Sequence, residues 1–315
     1  MIKVILCKNF EKAKEIAKEI KPCVAVECEY GDDVLTEEFE GVELAFYHHG
    51  KFSHLPAPSE RWDVFETLEK GYDNFIISHR DLDTLMGIMW ASKILKPEPL
   101  AKKIGELVAL QDIHGFHWME KNILPDLHPD LKYRFLGLGL ILNTREIEVD
   151  NGEIVKDVSK STHKIVLKLK DMIIDGPNEK QKMAIDTWIK QKKLDAEKDL
   201  VFTNKKINFF MSDKNLLSAY HINDFYSDLN IVYNYRNGSI LISAFDEDTA
   251  KKYFGEQGVL KPLKDFFGDK AGGRISVGGA PRDQKYNREK AEEFLKFIIK
   301  KYNIGDNKIV TEKIL

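Results

Sequence analysis

The residues with the most chemical reach in this sequence lie early in the chain. Seven of the nine histidines, His48, His49, His54, His79, His114, His117 and His128, fall between positions 48 and 128; only His163 and His221 lie outside. Imidazole is the commonest metal ligand and the side chain that titrates near neutrality, so this crowding predicts chemistry in the first part of the chain. The sharpest motif is Ser78-His79-Arg80-Asp81-Leu82-Asp83. It follows the strand-like run NFIIS and precedes the helix-like run TLMGIMWASKIL, which puts His79, Asp81 and Asp83 in a strand-to-helix turn. Alternate residues of an extended segment point the same way, so the three converge on one point. Mixed imidazole and carboxylate ligands suit Mn²⁺, Fe²⁺ or Zn²⁺, whereas carboxylates alone suit Mg²⁺. The plainer alternative is that Asp83 caps the helix and the other two are surface polar residues.

Three further groups carry the same kind of signal. Tyr47-His48-His49-Gly50 ends the strand-like run VELAFY. Neighbouring strand residues face opposite ways, so at most one of the two histidines is expected to bind an ion directly. The other would support it or touch substrate. Gln111-Asp112-Ile113-His114-Gly115-Phe116 follows a helix-like run ending LVAL and offers Asp112 as a carboxylate. Gly272-Gly273-Arg274-Ile275-Ser276-Val277-Gly278-Gly279, followed by Arg282, sets two glycine pairs around a short strand-like run. Glycines let backbone N–H groups approach an anion, and Arg grips phosphate bidentately; a tight pair of turns is the alternative.

The elements that must position these residues alternate along the first 145 positions. Strand-like runs at 2–7, 23–28, 42–47 and 74–78 are interleaved with helical spacing at 10–20, an amphipathic run at 84–95 and a helix at 100–110. Short apolar strands between helices predict an α/β domain built on a mainly parallel sheet flanked by helices. In such folds ligands gather at the carboxyl ends of strands, which is where His48 and His79 stand. Helices at 160–174 and 178–193 form a connector. From about 200 the pattern is strand-rich, with Asn237-Gly238 as a hairpin signal, helices near 248–254 and 259–267, and a last helix at 288–302. The expected layout is therefore residues 1–150 as the metal-binding domain, 151–199 as a helical connector and 200–315 as a smaller α+β domain with a mixed sheet.

Composition narrows the function classes. The chain has 315 residues, 43% hydrophobic and 31% charged, with a net charge of −3. Such a balance argues against a generally basic surface that coats nucleic acid. No apolar run approaches the roughly 20 residues that span a bilayer. Cys7, Cys23 and Cys28 have no metal-binding spacing, and the chain opens on a strand rather than a secretory signal. A reduced, cytoplasmic protein with buried thiols is expected.

Together the four motifs resemble the DHH phosphoesterase superfamily. His79-Arg80-Asp81-Leu82-Asp83 is similar to the family's first motif, His48-His49 to the namesake Asp-His-His, Gln111-Asp112-Ile113-His114-Gly115-Phe116 to the stretch carrying the last metal aspartate, and the loop at 272–279 to the glycine loop of the DHH-associated C-terminal domain. Tyr47 stands where the namesake aspartate would be and Arg274 where the loop histidine would be. The motif order is reversed, which a circularly permuted first domain reconciles. The second-motif aspartate has three candidates, Asp32, Asp33 and Glu29. The resemblance implies a hydrolase with Mn²⁺ or Mg²⁺, one or two ions, held by His48, His79, Asp81, Asp83 and Asp112. It implies that His49 and His114 orient substrate or protonate the leaving oxygen. It also implies that Gly272, Gly273, Arg274, Gly278, Gly279 and Arg282 clamp a substrate phosphate between the domains. Short nucleic acid or nucleotide phosphodiesters are the implied substrates, with a homodimer allowed and no membrane partner. The alternative is a non-catalytic nucleotide or phosphate-ligand binding protein on the same fold.

Overall fold

The computed structural model describes residues 1–30, 33–49, 52, 54–143, 153–214, 216–222, 225–281 and 284–305. β1 (Lys3–Cys7) leads into α1 (Phe10–Glu19), whose start is fixed by Asn9 Oδ1 accepting from the Lys12 N–H at 3.1 Å. Then come β2 (Cys23–Val26), a short antiparallel pair β3 (Glu29–Tyr30) and β4 (Asp33–Val34), β5 (Val42–Phe46), α2 (Trp62–Thr67), β6 (Asn74–Ile77) and α3 (Leu82–Ala91). α4 (Pro99–His114), α5 (Phe116–Asn122), α6 (Pro129–Leu142), β7 (Val155–Asp157), α7 (Ser159–Ile174) and α8 (Glu179–Asp199) follow. The remainder runs β8 (Leu200–Thr203), β9 (Ile207–Ser212), β10 (His221–Ile222), β11 (Phe225–Tyr226), β12 (Leu229–Asn234), β13 (Ser239–Ala244), α9 (Glu247–Phe254), α10 (Leu260–Phe267), β14 (Gly272–Gly273), β15 (Val277–Gly279) and α11 (Arg288–Tyr302).

The chain is α/β, as its alternating pattern predicts. The first sheet has the order β5-β2-β6-β1-β7, parallel throughout except for β7. Its central strands are apolar on both faces: Val24, Ala25 and Val26 of β2 and Phe75, Ile76 and Ile77 of β6 are all buried. A parallel sheet covered on both sides requires such runs. Val26 lies beside Phe46 of β5 and Ile77 of β6. The residues that follow these three strands therefore leave the sheet along one edge, where side chains far apart in sequence can meet.

The second sheet is mixed, in the order β14-β15-β13-β12-β9-β8, with β9 and β12 parallel and the other neighbours antiparallel. Its core centres on Phe209, Ile231, Ile242, Leu263 and Phe294. Asn237-Gly238 lies in the turn joining β12 and β13, where Gly238 takes φ 71°. By contact the chain divides into two compact units, Met1–Ile113 with Asp126–Asp186, and His114–Pro125 with Thr187–Leu315. Among the described residues no helix is long and apolar enough to cross a membrane. All three cysteines are free and buried.

Three local expectations are corrected. The run expected as an amphipathic helix over 84–95 is α3 at Leu82–Ala91, and every one of its residues is buried, so helical periodicity gives it no polar face. The helix expected to end near 110 continues through Asp112 to His114. In the glycine-rich segment the glycine pairs are themselves in strands, β14 and β15, and the run between them is the turn.

Candidate metal centre

Five elements deliver six side chains to the edge of the first sheet. Glu27 follows β2, His48 and His49 follow β5, His79 follows β6, Asp83 stands in the first turn of α3, and Asp112 lies near the end of α4. The ligand atoms fall into three overlapping groups, Glu27–His49–His79, His48–His49–Asp112 and Glu27–His48–Asp83, with the atoms of each group within 4.8 Å of one another.

His48 is at the middle. Its Nε2 lies 3.0 Å from Glu27 Oε1, 3.3 Å from Asp83 Oδ2 and 3.4 Å from Asp112 Oδ2. His49 Nε2 stands 2.9 Å from the same Glu27 Oε1, and His79 Nε2 3.0 Å from Glu27 Oε2. Glu27 thus shows one oxygen to two imidazoles and the other to a third. The expectation that His48 and His49 face opposite ways is corrected here. β5 ends at Phe46, so both lie beyond the strand, and their rings pack with centroids 4.3 Å apart.

The surroundings hold these groups in place. Glu27 is fully buried and has φ 50°, a left-handed conformation uncommon for a residue with a Cβ. Such strain costs on the order of 1–3 kcal/mol and persists where neighbours over-determine it. Both neighbouring strands do so. The Glu27 N–H donates to the Phe46 carbonyl at 2.7 Å, and Ser78 Oγ donates to the Glu27 carbonyl. Thr84 Oγ1 donates to Glu27 Oε2 at 2.8 Å. Since the Ser78 hydroxyl proton goes to Glu27, its oxygen accepts from His79 Nδ1 at 2.8 Å. A proton on Nδ1 leaves the Nε2 lone pair of a neutral His79 facing the carboxylates. The Ser59 N–H donates to Asp83 Oδ1 at 2.9 Å, leaving Oδ2 toward His48. The His49 N–H donates to Glu29 Oε1 at 3.0 Å.

Electrostatics couple the imidazoles and carboxylates of the cluster tightly. Burial alone would raise the Glu27 carboxyl, but the imidazoles of His48, His49 and His79 outweigh it and hold it well below the usual carboxylate range. Burial likewise opposes a charge on His48, yet Asp112, Asp83 and Glu27 push its pKa up to about 12. His79 resists burial in the same way and is raised to about 10 by Asp81 and Glu27. Glu27 also raises His49 against the effect of burial. Burial lifts Asp83 to about 6, with the Glu27 charge adding to it and His48 opposing.

The residues fit a metal cation by a direct observation. Glu27 Oε1, His48 Nε2 and Asp83 Oδ2 are buried atoms with no hydrogen-bond partner, although His48 Nε2 stands 3.0 Å from the first oxygen and 3.3 Å from the second. Buried polar atoms are almost always hydrogen-bonded, and here the close charged neighbours do not supply that hydrogen bond. Three such atoms aimed at one space, in a set of imidazole nitrogens and carboxylate oxygens, is the arrangement a divalent transition metal satisfies.

The other sequence candidates are placed as follows. Asp81 caps α3, with Oδ1 accepting from the Thr84 N–H at 2.9 Å, and its Oδ2 sits 2.9 Å from His79 Nε2. It belongs to none of the three groups and reaches the cluster through His79. His114 is exposed, stacked on Trp118 at 4.3 Å, and also outside the groups. Among the second-motif candidates, Asp33 is exposed on β4, Glu29 holds the His49 backbone, and Asp32 lies outside the described residues. The carboxylate that does reach the cluster is Glu27, which the sequence reading did not single out. The signal was available: Glu27 is a lone carboxylate within the apolar run CVAVEC, next to a strand end.

In the second unit, Gly272 and Gly273 pair with Gly279 and Gly278, and the Arg274 N–H closes the turn on the Val277 carbonyl at 2.7 Å. Arg282 lies outside the described residues. The hairpin borders a groove of about 1080 Å³, with Leu217, Leu241 and Val277 on its walls and Lys270, Arg274 and Lys285 among its lining residues. The two glycines of β14 differ sharply. Gly273 takes φ 148°, and a Cβ there would lie 2.3 Å from the Val277 carbonyl oxygen, whereas a Cβ on Gly272 would meet nothing within 4 Å. Gly273→Ala is therefore expected to destabilise the protein by about 1–3 kcal/mol, and Gly272→Ala to leave it within about 0.5 kcal/mol. Urea unfolding of the two variants checks this; equal stabilities would contradict it.

Comparison with known proteins gives little to add. No protein-family model and no curated protein matches the chain. Among solved structures, a pGpG-specific phosphodiesterase, PggH from Vibrio cholerae, is 13% identical, with 89% of this chain and 98% of that one covered and a TM-score of 0.32. An uncharacterized protein from Helicobacter pylori G27 is 16% identical, with 85% and 76% covered and a TM-score of 0.22. Likenesses this loose carry no argument for the activity of this chain.

Proposed function

We propose that this chain is a metal-dependent phosphoesterase that hydrolyses phosphodiester bonds of short oligonucleotides or nucleotides. The observation that carries this reading is the convergence of Glu27, His48 and Asp83, whose buried ligand atoms crowd together without a hydrogen bond between them. The similarity of the motifs around His48, His79, Asp112 and Gly272 to those of DHH phosphoesterases supports the reaction class.

In this reading Glu27, His48, Asp83 and Asp112 would hold one cation, and Glu27, His49 and His79 a second. Mn²⁺ suits the mixed nitrogen and oxygen donors. Bound there, such ions polarise a phosphoryl oxygen and lower the pKa of water that attacks phosphorus. The protein's own groups set the conditions for that chemistry. The buried Glu27 and Asp83 carboxylates supply fixed negative charge that attracts the cations. Ser78 fixes the His79 tautomer. Asp81 Oδ2, partly exposed, accepts a hydrogen bond from His79 Nε2 when the imidazole is charged. Arg274, with Arg282 further along the sequence, is assigned the task of binding substrate phosphate, supported by the cationic lining of the groove beside Arg274.

Assays on short oligonucleotides, linear and cyclic dinucleotides and pyrophosphate, each with Mn²⁺ and with a chelator, test the proposal. Chelator-sensitive release of nucleoside monophosphates is expected. Absence of turnover on every substrate, together with metal-independent nucleotide binding, would favour a non-catalytic binding protein instead.

A further inference from the structure

The two helices that carry carboxylates to the cluster are also joined at a second point. Asp83 and Trp90 lie seven residues apart on α3, and Gly105 and Asp112 seven apart on α4, so each pair shares a helix face two turns apart. The outer members, Trp90 and Gly105, meet at the same residue. Trp90 Nε1–H donates to the Ser59 carbonyl at 2.9 Å in a fully buried bond. Gly105 lies so close to that carbonyl that a Cβ on it would stand 2.4 Å from the oxygen. Ser59 sits in a short 3₁₀ turn, Pro58–Glu60, and its N–H is the group that donates to Asp83 Oδ1 at 2.9 Å. Ser59, Asp83 and Trp90 are all buried.

We infer that the Pro58–Glu60 turn is a wedge between α3 and α4 that sets the separation of the Asp83 and Asp112 carboxylates around His48, with Trp90 and Gly105 as its positioning residues. The inference rests on the reading of the cluster as a cation site. Groups that orient ligand side chains commonly control metal affinity by about 10–100-fold. The indole bond fixes where the Ser59 carbonyl lies, Ser59 in turn fixes the Asp83 carboxylate, and the missing side chain at Gly105 lets α4 close on the same atom. A Phe at 90 keeps an aromatic ring but has no donor. An Ala at 105 keeps helical propensity but pushes the turn away from α4.

The test is Mn²⁺ affinity, read from the electron paramagnetic resonance signal of free Mn²⁺, alongside thermal unfolding of the metal-free proteins. Trp90→Phe and Gly105→Ala are each expected to bind Mn²⁺ about tenfold or more weakly than wild type. Ile88→Val, a similar loss of core volume on α3, is expected to bind as wild type does. In the wild-type chain the Trp90 indole N–H resonance is expected to shift on titration with diamagnetic Mg²⁺, a readout that needs no variant to fold. Wild-type affinity in folded Trp90→Phe or Gly105→Ala, or an indole resonance that does not move while Mg²⁺ binds, would overturn the wedge and leave the cation site standing. Failure of the wild-type chain to take up either ion would remove both.

Discussion

Glu27→Gln is expected to abolish turnover while leaving the fold intact. Gln has the size of Glu and keeps an oxygen that can accept from Thr84 Oγ1. What it removes is a full negative charge, fully buried, within about 3 Å of three imidazoles. In the proposed centre this carboxylate is the one shared between two cations, so both positions lose a ligand. Metal contributes several kcal/mol of charge stabilisation in hydrolases of this kind, and each 1.4 kcal/mol or so is a factor of ten in rate. Turnover should therefore fall by about a thousandfold or more. Mn²⁺ affinity should fall further than the roughly 10–100-fold that loss of an outer partner produces. Steady-state kinetics with Mn²⁺ titration checks both, and circular dichroism checks the fold. Near-wild-type rates would mean that Glu27 is a structural buried charge.

Metal affinity is expected to climb steeply with pH, because the imidazoles hold protons that a cation must displace. In the metal-free protein the carboxylates raise His48 to about 12 and His79 to about 10 against the effect of burial. Both are therefore charged at neutral pH. Each displaced proton contributes about a tenfold gain in apparent affinity per pH unit, so two give roughly a hundredfold per unit. The gain continues upward until pH passes about 10, where His79 is already neutral. Below about pH 6 protonation of Asp83, raised by burial, removes a ligand and steepens the loss. Calorimetric titration in buffers of different ionisation enthalpy counts the protons. An affinity independent of pH between about 7 and 9, with no proton release, would contradict the assignment of His48 and His79 as ligands.

The sequence carried the α/β class because short apolar runs at 2–7, 23–28, 42–47 and 74–78 have lengths and neighbours that only a covered parallel sheet accommodates. The strand-end rule then brought His48 and His79 to notice, and both are in the cluster. Glu27 was not found, because the run CVAVEC reads as unbroken strand. The chain instead leaves the strand at Val26 and turns through a left-handed residue that bonds to both neighbours. The roles of Asp81 and Asp83 were not separable by spacing. Both can cap a helix, and only the three-dimensional register shows that Asp81 caps while Asp83 turns inward. The wedge at Ser59 was illegible for a similar reason. It depends on a carbonyl 31 residues from Trp90 in sequence, and no local pattern encodes that contact.

Diffraction from crystals soaked in Mn²⁺, recorded for anomalous scattering, tests the centre most directly. The account predicts anomalous peaks among Glu27, His48, Asp83 and Asp112 and among Glu27, His49 and His79. A cluster that stays free of metal at saturating Mn²⁺, with His48 paired only to its neighbouring carboxylates, would contradict it.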